Sequence, residues 1–194
     1  MSHIDFFPTR IWRTTNLNVE LLLHMVKDEY NKNPAGRNAS NISGWQSDNL
    51  AIDTSFYVNY FLKNIVSELG IIIPDQVTVP AIWANNNKLG GFNIPHDHIE
   101  HGNIISFVHY LELPNNVSTI NFRTDRPSLK FWNTPRAYLN ELNSQDVSMD
   151  VKVGDVVFFP SWLDHYTTPN HTYLDRISIA GNININYEKS TRLQ

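Results

Sequence analysis

The amino-acid sequence predicts a mainly β domain, a sandwich or barrel, preceded by two helices. Three observations carry that expectation. From Pro74 onward, short runs rich in Val, Ile, Phe and Thr alternate with turn residues, the pattern of a two-layered or closed sheet. Before Pro74, two stretches instead place apolar residues at helical spacing. The length, 194 residues and 22.4 kDa, suits one domain with a substantial core. No repeat, linker or low-complexity tract marks a boundary, so we expect a single domain over 1–194, with a helical support region at 1–74 and the β core at 75–190.

Each element has its own signal. The opening run Phe6-Phe7-Pro8-Thr9-Arg10-Ile11-Trp12 is apolar and broken by proline, so it reads as an extended segment or edge strand. Leu21, Leu22, His24, Met25, Val26 and Tyr30 recur at helical intervals and predict a first helix, started by Asn16 or Asn18. Residues 31–49, rich in Asn, Ser, Gly and Pro, read as a loop placed to reach over a site. Asp53-Thr-Ser opens a second helix, whose apolar positions Phe56, Tyr57, Tyr60, Phe61, Ile65, Val66 and Leu69 run to Gly70. About eight strands are then expected, near 77–85, 93–99, 104–113, 118–122, 148–151, 156–159, 165–168 and 176–184. The longest interruption, 127–146, predicts an insertion loop or a short helix around 138–142.

Composition narrows the chemistry. A formal net charge of −4 and a pI near 6.0 leave no broad basic surface, so nucleic-acid binding is not indicated. With no cysteine, disulfides, thiolate-zinc sites and cysteine nucleophiles are excluded, and any metal must sit on nitrogen and oxygen ligands. The start Met-Ser-His-Ile-Asp-Phe-Phe-Pro lacks a secretory signal pattern, and no apolar run approaches the ~18 residues of a membrane helix. A soluble cytoplasmic protein without a membrane partner is the expectation. The asparagine runs Asn85-Asn86-Asn87 and Asn182, Asn184, Asn186 receive no functional weight at this stage.

The densest group of titratable side chains is Asn93-Ile-Pro-His96-Asp97-His98-Ile-Glu100-His101. On an extended strand, residues i and i+2 share a face, so His96 and His98 project together and Asp97 points away. His165, after the apolar run 156–160, is the distant candidate for a third ligand. Oxygen-activating open sites place three protein ligands on one face, typically two His and one carboxylate for non-haem Fe(II). Three readings stay open: His96, His98 and His165 as a three-histidine site; His98, Glu100 and His165 as a carboxylate site; or a scaffold that binds no metal.

A companion strand adds an anion site. In the segment 176–182, Arg176, Ser178, Ala180 and Asn182 share one face, while Ile177 and Ile179 share the other. An arginine and a serine hydroxyl aimed inward can grip a carboxylate, the guanidinium in bidentate fashion. The plainer alternative is a surface arginine paired with Asp175 or Glu188.

The order Trp83-Ala-Asn85, Gly91-Phe-Asn93, His96-x-His98, Ser106-Phe-Val-His-Tyr110-Leu, Gly154-Asp155-Val-Val-Phe-Phe-Pro160-Ser161-Trp162-Leu-x-His165 and Pro169-Asn170 through Arg176-Ile-Ser178-Ile-Ala180-x-Asn182 resembles the 2-oxoglutarate/Fe(II)-dependent oxygenases. More narrowly, it is similar to the small branch whose first motif is His-x-His. The likeness covers most of the chain from Trp83 onward, and its most specific part is the block from His165 to Arg176. It implies a double-stranded β-helix, the cupin-like jelly roll, with helices packed outside. It also implies Fe(II) and 2-oxoglutarate, a hydroxylating dioxygenase activity, and O2 as second co-substrate.

Carried over by position, His96 and His165 match the family's two histidine ligands, and His98 stands where most relatives have the carboxylate. Arg176 and Ser178 match the pair holding the distal carboxylate of 2-oxoglutarate. Tyr110 sits where relatives often direct a hydroxyl at the same carboxylate, and Asn182 closes the same strand face. Phe107-Val-His109 replaces the smaller Gly-Val-Tyr of that branch. Two alternatives remain: a three-histidine cupin-type metalloenzyme that does not use 2-oxoglutarate, and a non-catalytic jelly-roll binding module. The primary substrate is not legible in the sequence, and a homodimer is an open expectation.

Overall fold

Alternation along two long strands organises the molecule, which the computed structural model describes over residues 8–124 and 144–187. The expected insertion around 138–142 lies outside these residues. The chain opens with β1 (Trp12–Thr15), α1 (Val19–Lys32), β2 (Asn41–Ile42) and β3 (Trp45–Gln46). A helical stretch follows as α2 (Ser55–Tyr60), a π-helical turn (Phe61–Ile65) and α3 (Val66–Leu69). The β body is β4 (Gln76–Asn87), β5 (Phe92–Asn93), β6 (Asn103–Glu112), β7 (Val117–Arg123), β8 (Asp146–Lys152), β9 (Asp155–Pro160), β10 (Asp164–Tyr166) and β11 (Arg176–Asn186).

Six strands form the main sheet in the order β1-β9-β6-β11-β4-β3, and β10-β7-β8 form a second sheet. All named pairs are antiparallel. The period-two pattern puts one set of side chains on each face of the main sheet. Ile105, Phe107 and Leu111 of β6, Val156 and Phe158 of β9, and Ile177, Ile179 and Ile183 of β11 pack against Leu22, Val26, Tyr57, Phe61 and Ile65 from the helices. The opposite face sends Tyr110, Val157 and Phe159 against Ile120, Phe122 and Val151 of the second sheet. The two cores thus lie on either side of the main sheet, and the site occupies the inter-sheet side. This is the mainly β jelly-roll expected from the sequence, with helices outside.

Three local differences have physical causes. The expected strand over 93–99 shrinks to Phe92–Asn93 plus an isolated pair between His96 and His165. Pro95, which has no N–H, interrupts the ladder there. The expected loop 31–49 contains β2 and β3, which pair with β5 and β4 and so fasten that loop beside the site. The N-terminal edge strand begins at Trp12, and it pairs with β9. The 1–74 region therefore contributes strands as well as helices.

Two glycines are required by geometry. Gly154, at φ +88°, makes the tight turn between β8 and β9. A Cβ on Gly181 would lie 2.6 Å from the Phe107 ring, so the β11 backbone closes directly onto that side chain.

Candidate metal centre

Two backbone hydrogen bonds bring the histidine segments together. The His96 N–H donates to the His165 carbonyl at 3.2 Å, and the His165 N–H returns to the His96 carbonyl at 3.0 Å. His98 is held separately: its N–H donates to the Ser161 carbonyl at 2.8 Å, and its own carbonyl accepts from Asn103 Nδ2 at 3.0 Å. Ring centroids are then 4.9 Å apart for His96–His98, 4.3 Å for His96–His165 and 5.1 Å for His98–His165. One nitrogen from each ring falls within 4.8 Å of the others. Separate ligand atoms this close can share one ion.

Two of the rings have their free nitrogen chosen for them. His96 Nδ1 lies 2.7 Å from the Ile94 carbonyl and His165 Nδ1 lies 3.1 Å from the Leu163 carbonyl. A carbonyl only accepts, so each Nδ1 carries the proton and each Nε2 lone pair remains for a metal. Phe159 flanks His165 with ring centroids 4.6 Å apart, and Trp83 stands edge-on to His98 at 5.3 Å.

Burial keeps all three imidazoles neutral. It pushes His98 down to about 4, with the facing His96 adding to the effect. His165 falls well below the ordinary histidine value through burial, then through His96 and His98. His96 is lowered too, again chiefly by burial. Neutral imidazoles are the metal-binding form, so the donor set is ready at neutral pH.

β11 aims its polar face into the same cavity, which holds about 460 Å3 of empty space including its open mouth. Arg176 is 5% exposed, and Nη1 donates to the Thr168 carbonyl at a long 3.4 Å. No carboxylate pairs with it among the described residues. Burial lowers its pKa, partly offset by Tyr110, while burial pushes the Tyr110 phenol up and keeps it protonated. Ser178 and Tyr110 are opposite each other across β11 and β6. A buried guanidinium beside a phenol and a hydroxyl is an incomplete ion pair, and an anionic ligand completes it.

The other candidates separate clearly. Glu100, the alternative third ligand, is exposed in a 3-10 turn (Glu100–Gly102) and does not join the three histidines. Asp97 is exposed, with its Oδ1 accepting from the Ile99 N–H at 3.2 Å. Asn182 does not line the cavity; its Oδ1 accepts from Ser106 Oγ at 2.8 Å, and Ser106 Oγ lies 2.9 Å from Ser161 Oγ. His109 faces the helices.

Sequence reasoning overlooked the asparagine wall. Trp83, Asn85 and Asn87 of β4 line the cavity directly across from Ala180, Ser178 and Arg176. The available signal was period-two spacing in a run that received no functional weight from its sequence.

Comparison with known proteins follows this geometry. A family model described as "Putative 2OG-Fe(II) oxygenase" matches residues 81–182. The chain belongs to this family. No match is found among curated protein sequences. Among solved structures, a Pseudomonas putida prolyl-4-hydroxylase superposes with a TM-score of 0.58 at 13% identity, covering 92% of this chain and 94% of that one. A prolyl hydroxylase from Trichoplax adhaerens, in complex with a hypoxia inducible factor peptide fragment, gives 0.59 at 14% identity, covering 95% and 87%. HygX from Streptomyces hygroscopicus, with nickel, 2-oxoglutarate and hygromycin B bound, gives 0.52 at 12% identity, covering 91% and 83%. At such identities the likeness is one of fold, the double-stranded β-helix. As a 2OG-Fe(II) oxygenase, the chain uses Fe(II), 2-oxoglutarate and O2.

Proposed function

We propose that His96, His98 and His165 hold Fe(II), and that Arg176, Ser178 and Tyr110 hold the distal carboxylate of 2-oxoglutarate. The observation carrying this reading is a buried Arg176, without a carboxylate partner among the described residues, in the same cavity as three converging neutral imidazoles. A three-histidine enzyme without 2-oxoglutarate would have no use for that cation. A binding module would not need imidazoles braced at Nδ1 with Nε2 left free.

The donor set fits the metal. Nitrogen-only ligation suits a divalent first-row ion, and three ligands leave positions for a chelating co-substrate and O2. Because the ligands are neutral, the ion keeps its full +2 charge, which strengthens its hold on an anionic co-substrate. Bound Fe(II) would supply O2-dependent hydroxylation of a C–H bond coupled to oxidative decarboxylation of 2-oxoglutarate to succinate and CO2, one oxygen atom of O2 going to succinate and the other to the substrate.

This chain's residues bind and orient. Carbonyls of Ile94 and Leu163 fix the ring orientation of His96 and His165. Arg176 neutralises the far carboxylate, while the Tyr110 phenol, protonated because it is buried, and the Ser178 hydroxyl donate hydrogen bonds to it. Val108, Ile120 and Ala180 add apolar surface to the lining of the same cavity. Ser40, from the 31–49 loop, reaches the same cavity, so that loop contributes to substrate choice.

The purified protein tests this directly. It should bind Fe(II) and 2-oxoglutarate anaerobically, then release succinate when O2 is admitted. A folded protein that binds neither and releases none refutes the reading. Among the described residues no helix is long and apolar enough to cross a membrane.

A further inference from the structure

We propose that a second cavity at Arg176 is an anion site, and that a small oxyanion bound there shares the guanidinium with 2-oxoglutarate and antagonises its binding. The inference rests on the oxygenase reading above, which places the distal carboxylate of the co-substrate at Arg176. This second cavity holds about 560 Å3 of empty space including its open mouth, and its walls are the turn at 114–115, Ser118 of β7, the segment 168–172 and Arg176. Among the described residues, Arg176 alone lines both this cavity and the one that holds the three imidazoles. Its side chain therefore stands between the two spaces.

A guanidinium carries five N–H donors, and a bidentate carboxylate uses two of them. A third, on Nη1, reaches the carbonyl of Thr168 at 3.4 Å, and Thr168 lines the second cavity but not the first. Two donors are left over on a residue only 5% exposed, where little bulk water reaches them. The surrounding wall favours an anion, because no Asp or Glu belongs to it. Asn170 and Thr172 are spent on the frame: Asn170 Nδ2 donates to the Asn87 and Leu174 carbonyls at 2.9 and 2.7 Å, and its Oδ1 accepts from the Thr172 N–H and Oγ1 at 3.0 and 2.9 Å. Ser118 Oγ and the His171 ring have no protein partner among the described residues, so both can turn to a ligand. Two anions on one guanidinium repel each other, so each weakens the other's hold. Because the two positions are distinct, that coupling is reciprocal and reaches a limit once both are filled.

The test titrates 2-oxoglutarate into the full chain loaded with Co(II), at rising concentrations of inorganic sulfate or inorganic phosphate, with ionic strength held by a bulky sulfonate buffer salt. With at least one of the two oxyanions, the apparent Kd for 2-oxoglutarate should rise about fivefold or more and then level off. Ser118→Phe, which fills the second cavity without touching the first, should keep its affinity for 2-oxoglutarate within about twofold and lose the response. His171→Glu, at an exposed position that the fold tolerates, places a negative charge in the second cavity and should lose the response as well. The proposal is overturned if neither oxyanion changes the affinity, or if either folded variant responds as the wild type does. It is equally overturned if the apparent Kd keeps rising in proportion to the anion, the mark of direct competition for the co-substrate's own position. A wild-type chain that fails to bind Co(II) and 2-oxoglutarate refutes the oxygenase reading; one that binds both and ignores the oxyanions refutes only this inference.

Discussion

His109 and the three cavity histidines are all imidazoles lowered in pKa by burial, yet the sheet between them divides their roles. On the helix side, His109 has both ring nitrogens occupied: Nε2 donates to the Asn16 carbonyl at 3.0 Å, and Nδ1 accepts from the Tyr57 hydroxyl at 3.0 Å. On the cavity side, among the described residues, His96 and His165 are each occupied at Nδ1 alone, and Arg176 makes one long bond. A completed set of hydrogen bonds serves the fold, and an unfinished set is kept for ligands. The contrast teaches that burial and pKa shift alone do not identify a functional histidine.

The comparison breaks most sharply at the metal. His165→Ala should lower Fe(II) or Co(II) affinity by at least about 100-fold, because it removes one of the three proposed ligands while the His96–His165 backbone pairing stays in place. Titration with Co(II), followed by its visible spectrum, measures this. Arg176→Met should weaken 2-oxoglutarate by about 2–5 kcal/mol, the range for truncating one partner of a buried charge pair. Metal affinity should stay near wild type, and the ligand-free protein should be no less stable, since an unpaired buried charge is gone; calorimetry reads all three. Tyr57→Phe strips His109 of its donor and should destabilise the fold by about 1–3 kcal/mol in urea melts, with metal and co-substrate binding intact.

Proton competition separates the same two sides more gently. The folded value of His98 lies near 4, below the ordinary 6.5, so the unfolded chain binds more protons between those values. Its contribution to stability is complete above 6.5 and is lost as pH falls through that window toward 4. Urea midpoints of the metal-free protein should therefore decline from pH 7 to pH 5, and saturating metal should shift the onset of decline to lower pH. The smallest effect belongs to Glu100→Ala, for which metal affinity should change by no more than about twofold. A large loss there would reinstate the carboxylate ligand set.

Much of this site was legible in the chain. The alternation of Arg176, Ser178 and Ala180 against Ile177 and Ile179 needed only the strand period, and the structure shows that division between cavity and helix-side core. His96 and His98 were read as neighbours on a strand; they do converge, although Pro95 leaves that segment without a continuous ladder. Asn182 shows the limit of the same reasoning, because sharing a face with Arg176 did not decide whether it met the cavity or Ser106.

By itself the sequence determined what depends on local periodicity and residue chemistry: a β body behind two helices, a cysteine-free ligand set, and an inward arginine strand. Tertiary structure alone decided which groups remain unpaired. The meeting of His96 with His165, the lack of a carboxylate beside Arg176 among the described residues, and the unpaired Oδ1 of Asn85 all depend on strands brought together from distant parts of the chain. Hydrogen-bond satisfaction is a property of those assembled neighbours, and no single stretch of sequence contains it.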